Sequence, residues 1–324
     1  MKIVELDGYA ANPGDISWDP WRNITAPDGS KYDFVVYDRT APELVIERAI
    51  DADIVITNKV VFTDKVMAQL PYLRYIGVLA TGYNVVDIEA AHRRGITVTN
   101  IPAYSTQSVA QLAIAHLLHI TNNIAAHDNA VHQGAWTSCP DFSFTVSPQI
   151  ELESKVFAVI GLGNTGMATA RIASALGMKI LAYTSKEQSA LPSFITKASS
   201  LEYLFSEADV LSLHCPLTPD THHIVNAQRL ALMKPTAIIL STARGPLIDE
   251  QALAYALNNE LLYAAGIDVL TEEPPTSGSP LLTARNCHIT PHIAWATLAA
   301  RQRLMYIAIE NIKAFICGKP QNEV

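Results

Sequence analysis

A chain of 324 residues is long for one domain and predicts two; 49% hydrophobic and 17% charged residues mark it as globular and exclude wholesale disorder. A net charge of −8 without basic clusters excludes nucleic acid as a partner, because phosphate neutralisation needs such clusters. No apolar run approaches the roughly 18 to 20 residues of a membrane span, the short acidic start Met1 to Gly8 is no signal peptide, and four scattered cysteines, Cys139, Cys215, Cys287 and Cys317, predict reduced thiols in a cytoplasm and no metal site.

Strand-like and helix-like segments alternate, which predicts parallel α/β sheets. Lys2 to Leu6, Phe34 to Tyr37, Asp53 to Thr57, Leu73 to Val78 and Ile96 to Asn100 read as strands, with helices over Ala41 to Ala49 and Thr63 to Gln69. The loop Leu79-Ala80-Thr81-Gly82 follows the fourth strand, where Gly82 permits an unusual backbone angle. A long helix is expected from about Thr106 to Asn122, with Val109, Leu112, Ala113, Leu117 and Ile120 giving it more apolar surface than one domain face needs. Gln133 to Pro148 reads as a polar loop. Val156 to Ile160 is a continuous apolar strand of the kind buried on both faces. A glycine run follows at once, and a helix continues through Thr169 to Leu176 before Gly177. Lys179 to Tyr183, Val210 to His214, Thr236 to Leu240, Ala264 to Val269 and Cys287 to Thr290 supply further strands. The last helix, Leu298 to Ile316, is expected to cross back to the first domain. No internal repeat is visible. The expected division is residues 1–101 with 294–324 in one domain and 102–293 in the other.

The glycine run is Gly161-Leu162-Gly163-Asn164-Thr165-Gly166. Its first glycine allows a tight turn, its second lets backbone approach a pyrophosphate, and its third packs helix on strand. The N–H groups from Asn164 onward would face the phosphates. A glycine-rich turn without ligand is the bland alternative, and the strand before and helix after favour a dinucleotide. An NAD site normally offers an acid about 20 residues on, held to the adenosine ribose. Here the strand ends Tyr183-Thr184-Ser185-Lys186, with no acid before Glu187. Two hydroxyls and a lysine suit a 2′-phosphate better than a bare diol, so NADP is favoured over NAD; the alternative is that Glu187 serves the ribose.

Three residues far apart look like one active site: Arg244 in Ala243-Arg244-Gly245, Glu273 before Pro274, and His292 in Pro291-His292. Arginine offers a planar fork matched to a carboxylate. Histidine carries and releases a proton near neutral pH, and an acid can hold its other nitrogen. Such a set is what reduction of a 2-keto acid with a nicotinamide cofactor needs. The bland readings are a surface arginine, a solvated loop acid like its neighbour Glu272, and a packed histidine.

Several further segments share an order with these: Ala80-Thr81-Gly82-Tyr83-Asn84-Val85-Val86-Asp87, Arg94 to Asn100, Leu213-His214-Cys215-Pro216-Leu217-Thr218, Met233-Lys234-Pro235 and Gly266-Ile267-Asp268-Val269. Over essentially its whole length the chain resembles the D-isomer-specific 2-hydroxyacid dehydrogenase family. The opening Leu6-Asp7-Gly8-Tyr9 with Asn12-Pro13-Gly14-Asp15 resembles its glycerate dehydrogenase/hydroxypyruvate reductase branch. The resemblance implies two doubly wound parallel-sheet domains, a Rossmann cofactor domain and a flavodoxin-like substrate domain, and a homodimer. It implies reversible reduction of a small 2-keto acid, of hydroxypyruvate or glyoxylate type, to the D-hydroxy acid, with NAD or NADP. His292 would be the acid/base, Glu273 its partner and Arg244 the substrate clamp. Backbone N–H groups of Leu79, Ala80, Thr81 and Gly82 would meet the substrate carboxylate. Asp268 would hold the nicotinamide carboxamide, Cys215 would line the nicotinamide pocket, and Pro216, Thr221, Thr242, Ala243 and Ala294 would complete the cofactor site. The sequence departs from the family at Thr184, where NAD-preferring members carry an acid. Other readings of the same family are a nucleotide-sensing transcriptional corepressor, a phosphoglycerate dehydrogenase, and a formate dehydrogenase, which would carry Gln at position 273.

Overall fold

Runs of buried, β-branched residues form the strands, and every strand pairing is parallel, so each sheet is built from crossovers. The structure, a computed structural model, describes all residues from Met1 to Val324. The chain divides into two units, Met1–Ser105 with Ala296–Val324, and Thr106–Trp295.

In the first unit the strands are β1 (Lys2–Glu5), β2 (Asp33–Val36), β3 (Ile54–Thr57), β4 (Tyr75–Val78) and β5 (Thr97–Thr99), in the order β2-β1-β3-β4-β5. That is the flavodoxin-like order, with its reversal between β1 and β3. Both β3 and β4 are buried along their whole length, as a sheet covered on two faces requires. The final helix, Leu298–Ile316, belongs to this unit. Its Phe315 ring lies 4.8 Å from that of Tyr75 on β4, and its buried Asn311 donates to Asn100 O at 3.0 Å. Arg301 grips Asp15 with two nitrogens, each at 2.6 Å.

In the second unit the strands are β6 (Val156–Ile160), β7 (Lys179–Tyr183), β8 (Ile195–Lys197), β9 (Val210–Leu213), β10 (Ile238–Ser241), β11 (Ala264–Ile267) and β12 (Cys287–Ile289). Their order, β12-β11-β10-β9-β6-β7-β8, is the Rossmann order extended by one edge strand. The reversal lies between β6 and β9. The long helix Thr106–Asn122 covers β10 and β11 and packs along the helix Asn164–Ala175.

Several expectations need correction. Most strands are a residue or two shorter than read from sequence, and the tenth runs Ile238–Ser241 rather than from Thr236 to Leu240. The first expected helix begins as a 3₁₀ turn, Pro42–Leu44, and becomes α-helical only over Val45–Ala49. A helix over Ile124–His132 and the edge strand Ile195–Lys197 were not anticipated. Along the long helix Ala113, Leu117 and Ile120 are buried, while Val109 and Leu112 are only half-buried, so part of its apolar stripe stays uncovered. Among the exposed apolar side chains are Ile124, Trp136 and Phe142, on the next helix and loop. No helix is long and apolar enough to cross a membrane.

Candidate active site

The topological reversal of the second unit brings the ends of β6 and β9 side by side, where open α/β sheets bind their ligands. Gly161 is left-handed at φ 91°, and a Cβ there would lie 2.6 Å from the backbone nitrogen of Cys215. A Cβ on Gly166 would lie 2.1 Å from Gly161 O, so the opening of the following helix sits directly on the glycine turn. Gly163 differs: nothing lies within 4 Å of where its Cβ would be. Two glycines are thus needed for the turn to close, and the third leaves free space in front of the helix that starts at Asn164. This is the cradle a pyrophosphate fits.

A cavity of about 390 Å³ opens there, lined by Gly161, Gly163, Thr184, Ser185, Lys186, Cys215, Pro216 and Thr221 among the expected cofactor residues. Ile160, Leu162, Tyr183, His214 and Ile224 also line it and were not anticipated as contacts. His214 is the notable omission. Burial pushes its imidazole down to about 4, so the ring is neutral, and its Nε2 meets Ser212 Oγ at 2.8 Å. Its place at the end of the reversal strand was the available signal. Burial raises the Cys215 thiol, which suits an apolar wall rather than a nucleophile.

At the rim, Lys186 Nζ donates to Leu162 O of the glycine turn at 2.9 Å. Its backbone N–H donates to Thr184 Oγ1 at 3.3 Å. Glu187 lies 3.7 Å from Lys197 Nζ and does not line the cavity. The cation at the mouth therefore faces the cavity, while the nearest acid is turned to another partner.

Arg244, Glu273 and His292 follow β10, β11 and β12, three neighbours in one sheet. Gly245 explains how the first two loops meet: a Cβ there would lie 2.0 Å from Leu270 C, so only glycine lets the turn after β10 rest on the Leu270 backbone. Leu270 N in turn donates to Glu273 Oε1 at 2.9 Å. The other carboxylate oxygen, Oε2, lies 2.6 Å from His292 Nδ1. Arg244 is exposed and no acid pairs with it; one nitrogen donates to Ala243 O at 2.6 Å. His292 has φ 53°, a left-handed conformation uncommon for any residue but glycine.

Asp268 is buried, and its carboxylate is held from several sides. Oδ1 accepts from Thr290 Oγ1 at 2.6 Å and Ile293 N at 2.9 Å, and Oδ2 accepts from Ala294 N at 2.9 Å. Its carboxylate is committed first to the turn that carries His292. Ala294 contributes backbone to that turn. Thr242, beyond β10, keeps a buried hydroxyl with no partner in the chain, a group that a ligand can satisfy. The cavity at the glycine turn does not include Thr242, Ala243, Arg244, Asp268, His292 or Ala294, and Asn164 and Thr165 enter only as the first residues of the helix.

In the first unit, the loop after β4 supplies fewer free donors than expected. Leu79 is buried and its N–H goes to Thr57 O at 2.7 Å, while Ala80 N–H goes to Val78 O at 2.8 Å. Only the amides of Thr81 and Gly82 are left without a bond from the chain. Gly82 is not among the left-handed glycines. The loop is held instead by side chains: Asn58 Nδ2 to Leu79 O at 2.6 Å and Asn100 Nδ2 to Thr81 O at 2.7 Å.

Residues 114–294 match the family described as D-isomer specific 2-hydroxyacid dehydrogenase, NAD binding domain. A hydroxypyruvate reductase from Blautia hydrogenotrophica is 48% identical over 100% of this chain and 99% of its own length. A glycerate dehydrogenase from Methylorubrum extorquens is 38% identical over 90% of this chain and 92% of its own. Among solved structures, an NADPH-dependent glyoxylate/hydroxypyruvate reductase from Sinorhizobium meliloti, in complex with NADP and malonate, aligns at a TM-score of 0.81 with 28% identity, covering 100% of this chain and 96% of that one. The strand order, the glycine turn and these matches agree: the chain belongs to the D-isomer specific 2-hydroxyacid dehydrogenase family, NAD(P)-dependent oxidoreductases.

Proposed function

We propose that this protein reduces a small 2-keto acid, hydroxypyruvate or glyoxylate, to the 2-hydroxy acid, with NADPH preferred over NADH. The observation that carries the reading is the 2.6 Å bond from His292 Nδ1 to Glu273 Oε2. It commits one ring nitrogen to a carboxylate and leaves Nε2 to exchange a proton with substrate. When bound, the nicotinamide supplies the hydride that reaches the keto carbon. His292 gives the proton that the keto oxygen takes up, and Glu273 stabilises the imidazolium that gives it. The exposed guanidinium of Arg244, which no acid pairs, meets the substrate carboxylate and polarises the carbonyl. In the reverse direction His292 accepts the hydroxyl proton. The shared naming of the relatives for hydroxypyruvate, glycerate and glyoxylate supports the substrate class.

The rim supports the cofactor preference: Lys186, Thr184 and Ser185 line the cavity, and Glu187 is paired with Lys197. A homodimer through the second unit is supported by Ile124 (67% exposed), Trp136 (53%) and Phe142 (91%), which form apolar surface on consecutive segments. Four unbridged cysteines support a reducing compartment such as the cytoplasm. The test is a panel of 2-keto acids with purified protein and each cofactor, followed by nicotinamide absorbance, alongside His292→Ala. The variant should lose roughly 10²- to 10⁴-fold in kcat with cofactor Kd kept. Near-normal turnover by the variant, or no keto acid reduced by the native protein, overturns the reading.

A further inference from the structure

The five-residue turn that carries His292 is bonded at nearly every position, and the bonds run outward to one side chain that takes no part in the reaction. Thr290 donates its hydroxyl hydrogen to Asp268 Oδ1 at 2.6 Å. A hydroxyl has a single hydrogen, so at the 3.0 Å contact between Thr290 Oγ1 and His116 Nε2 the ring is the donor. His116 is buried on the long helix, and that burial holds its imidazole below the ordinary range, so the ring is neutral with its one N–H at Nε2. On the other side, Asp268 takes the amides of Ile293 and Ala294, and its backbone oxygen takes the N–H of His292 at 2.9 Å. The same helix reaches the turn a second time, where Ser108 Oγ donates to Ala294 O at 2.5 Å. β11 makes room for the ring: a Cβ on Gly266 would lie 2.7 Å from His116 Cβ and 2.9 Å from its Cγ.

We propose that His116 is a positioning residue for His292, acting through the Thr290 hydroxyl and the Asp268 carboxylate on the backbone of the turn. The inference rests on the reading of His292 as the proton donor. Without the Nε2–H, the Thr290 hydroxyl loses the partner that fixes its direction, and the carboxylate holding Ile293 and Ala294 loses its brace. A left-handed non-glycine residue persists only where its surroundings over-determine it. His292, at φ 53°, then relaxes away from the geometry that proton transfer needs.

The variants His116→Leu, His116→Gln, Thr290→Val and His292→Ala separate the possibilities, each measured for folding, cofactor Kd, keto-acid KM and kcat. His116→Leu should lower kcat roughly ten- to hundredfold, the effect of a misplacement of about 1 Å, while cofactor Kd and keto-acid KM stay within about twofold. Gln places an N–H close to where Nε2 stood and should restore kcat to within about threefold of the native value. Thr290→Val should match His116→Leu, and the double variant should be no worse than either, because both cut one chain of bonds. A native kcat in folded His116→Leu, or a Gln variant no better than the Leu variant, overturns the proposal. If His116→Leu does not fold, Thr290→Val decides: a native kcat there overturns it, and a loss confined to kcat supports it. Substantial turnover in His292→Ala would instead overturn the reading of His292, a distinct outcome.

Discussion

Replacing Thr184 with aspartate should shift the cofactor preference toward NADH. Thr184 lines the cavity one residue beyond β7, and its Oγ1 accepts the Lys186 N–H at 3.3 Å, so the side chain is folded into the rim where the adenosine ribose of a bound cofactor belongs. Lys186 is anchored over the glycine turn through Leu162 O at 2.9 Å, on the same rim. A carboxylate at 184 would face a 2′-phosphate of charge near −2. Two unit charges about 4 Å apart interact by ~1 kcal/mol in bulk water and ~4 kcal/mol near a protein surface, and this open rim belongs near the lower figure. With two like-charge pairs the repulsion is ~2 kcal/mol, and a ribose hydroxyl donating to the new carboxylate adds ~1 kcal/mol in favour of NADH. The sum, ~3 kcal/mol, is a shift of about 150-fold in the ratio of kcat/KM values for the two cofactors. Steady-state kinetics at fixed ionic strength measure it, and raising the salt should shrink it because the charges are exposed. A ratio that moves less than about threefold would show that the 2′ position lies elsewhere and that this rim does not read it.

Arg244→Lys should raise the keto-acid KM and lower kcat together, because an ammonium cannot reproduce a forked grip; a change confined to cofactor Kd would reassign Arg244 to the nucleotide. Gly163→Ala should leave the fold intact and weaken cofactor binding, since its methyl enters open space, whereas Gly166→Ala should destabilise the protein, since its methyl would collide with Gly161 O; thermal melts with and without cofactor separate the two, and equal behaviour would contradict the packing described. Glu273→Gln removes the carboxylate that His292 Nδ1 meets at 2.6 Å and should lower kcat while cofactor Kd is kept; an unchanged kcat would show that the carboxylate is inert. Glu5 is fully buried with Oε2 unpartnered, and desolvation followed by the charge of Asp7 raises its carboxyl well above the ordinary 4.5. A raised folded-state value means that its contribution to stability is full below the ordinary carboxylate range and fades as pH rises. Glu5→Gln, which keeps an acceptor for Asp7 N–H, should therefore gain stability over the native protein progressively as the pH rises above the ordinary carboxylate range in urea unfolding, and a gap independent of pH would refute this.

The helices Thr106–Asn122 and Leu298–Ile316 and the strand–glycine–helix unit were legible because periodicity and turn chemistry are local signals. The helix Ile124–His132 was hidden because it begins after Asn123, left-handed at φ 47°, which separates it from the preceding helix without a glycine or proline to announce it. β8 is a three-residue edge strand, too short to show alternation. In the site, Arg244, Glu273 and His292 were named from sequence, but which partner each would find was only partly readable. The commitment of Asp268 to Ile293 and Ala294, the tie from Lys186 to Leu162, and the loss of the Leu79 amide to Thr57 O on β3 and of the Ala80 amide to Val78 O are long-range or backbone facts that no spacing encodes.

The place of the final helix has a consequence for synthesis on the ribosome. All five strands of the first sheet lie within the first 99 residues, yet the helix that supplies Phe315 against Tyr75 and Asn311 against Asn100 arrives some two hundred residues later. Throughout that interval the nascent sheet lacks one of its covering helices, while by its end the second unit has every strand and can close on its own core. The N-terminal unit is then the later of the two to finish, although it emerges first. Such a half-covered parallel sheet is the species most exposed to misassociation and to chaperone capture during translation.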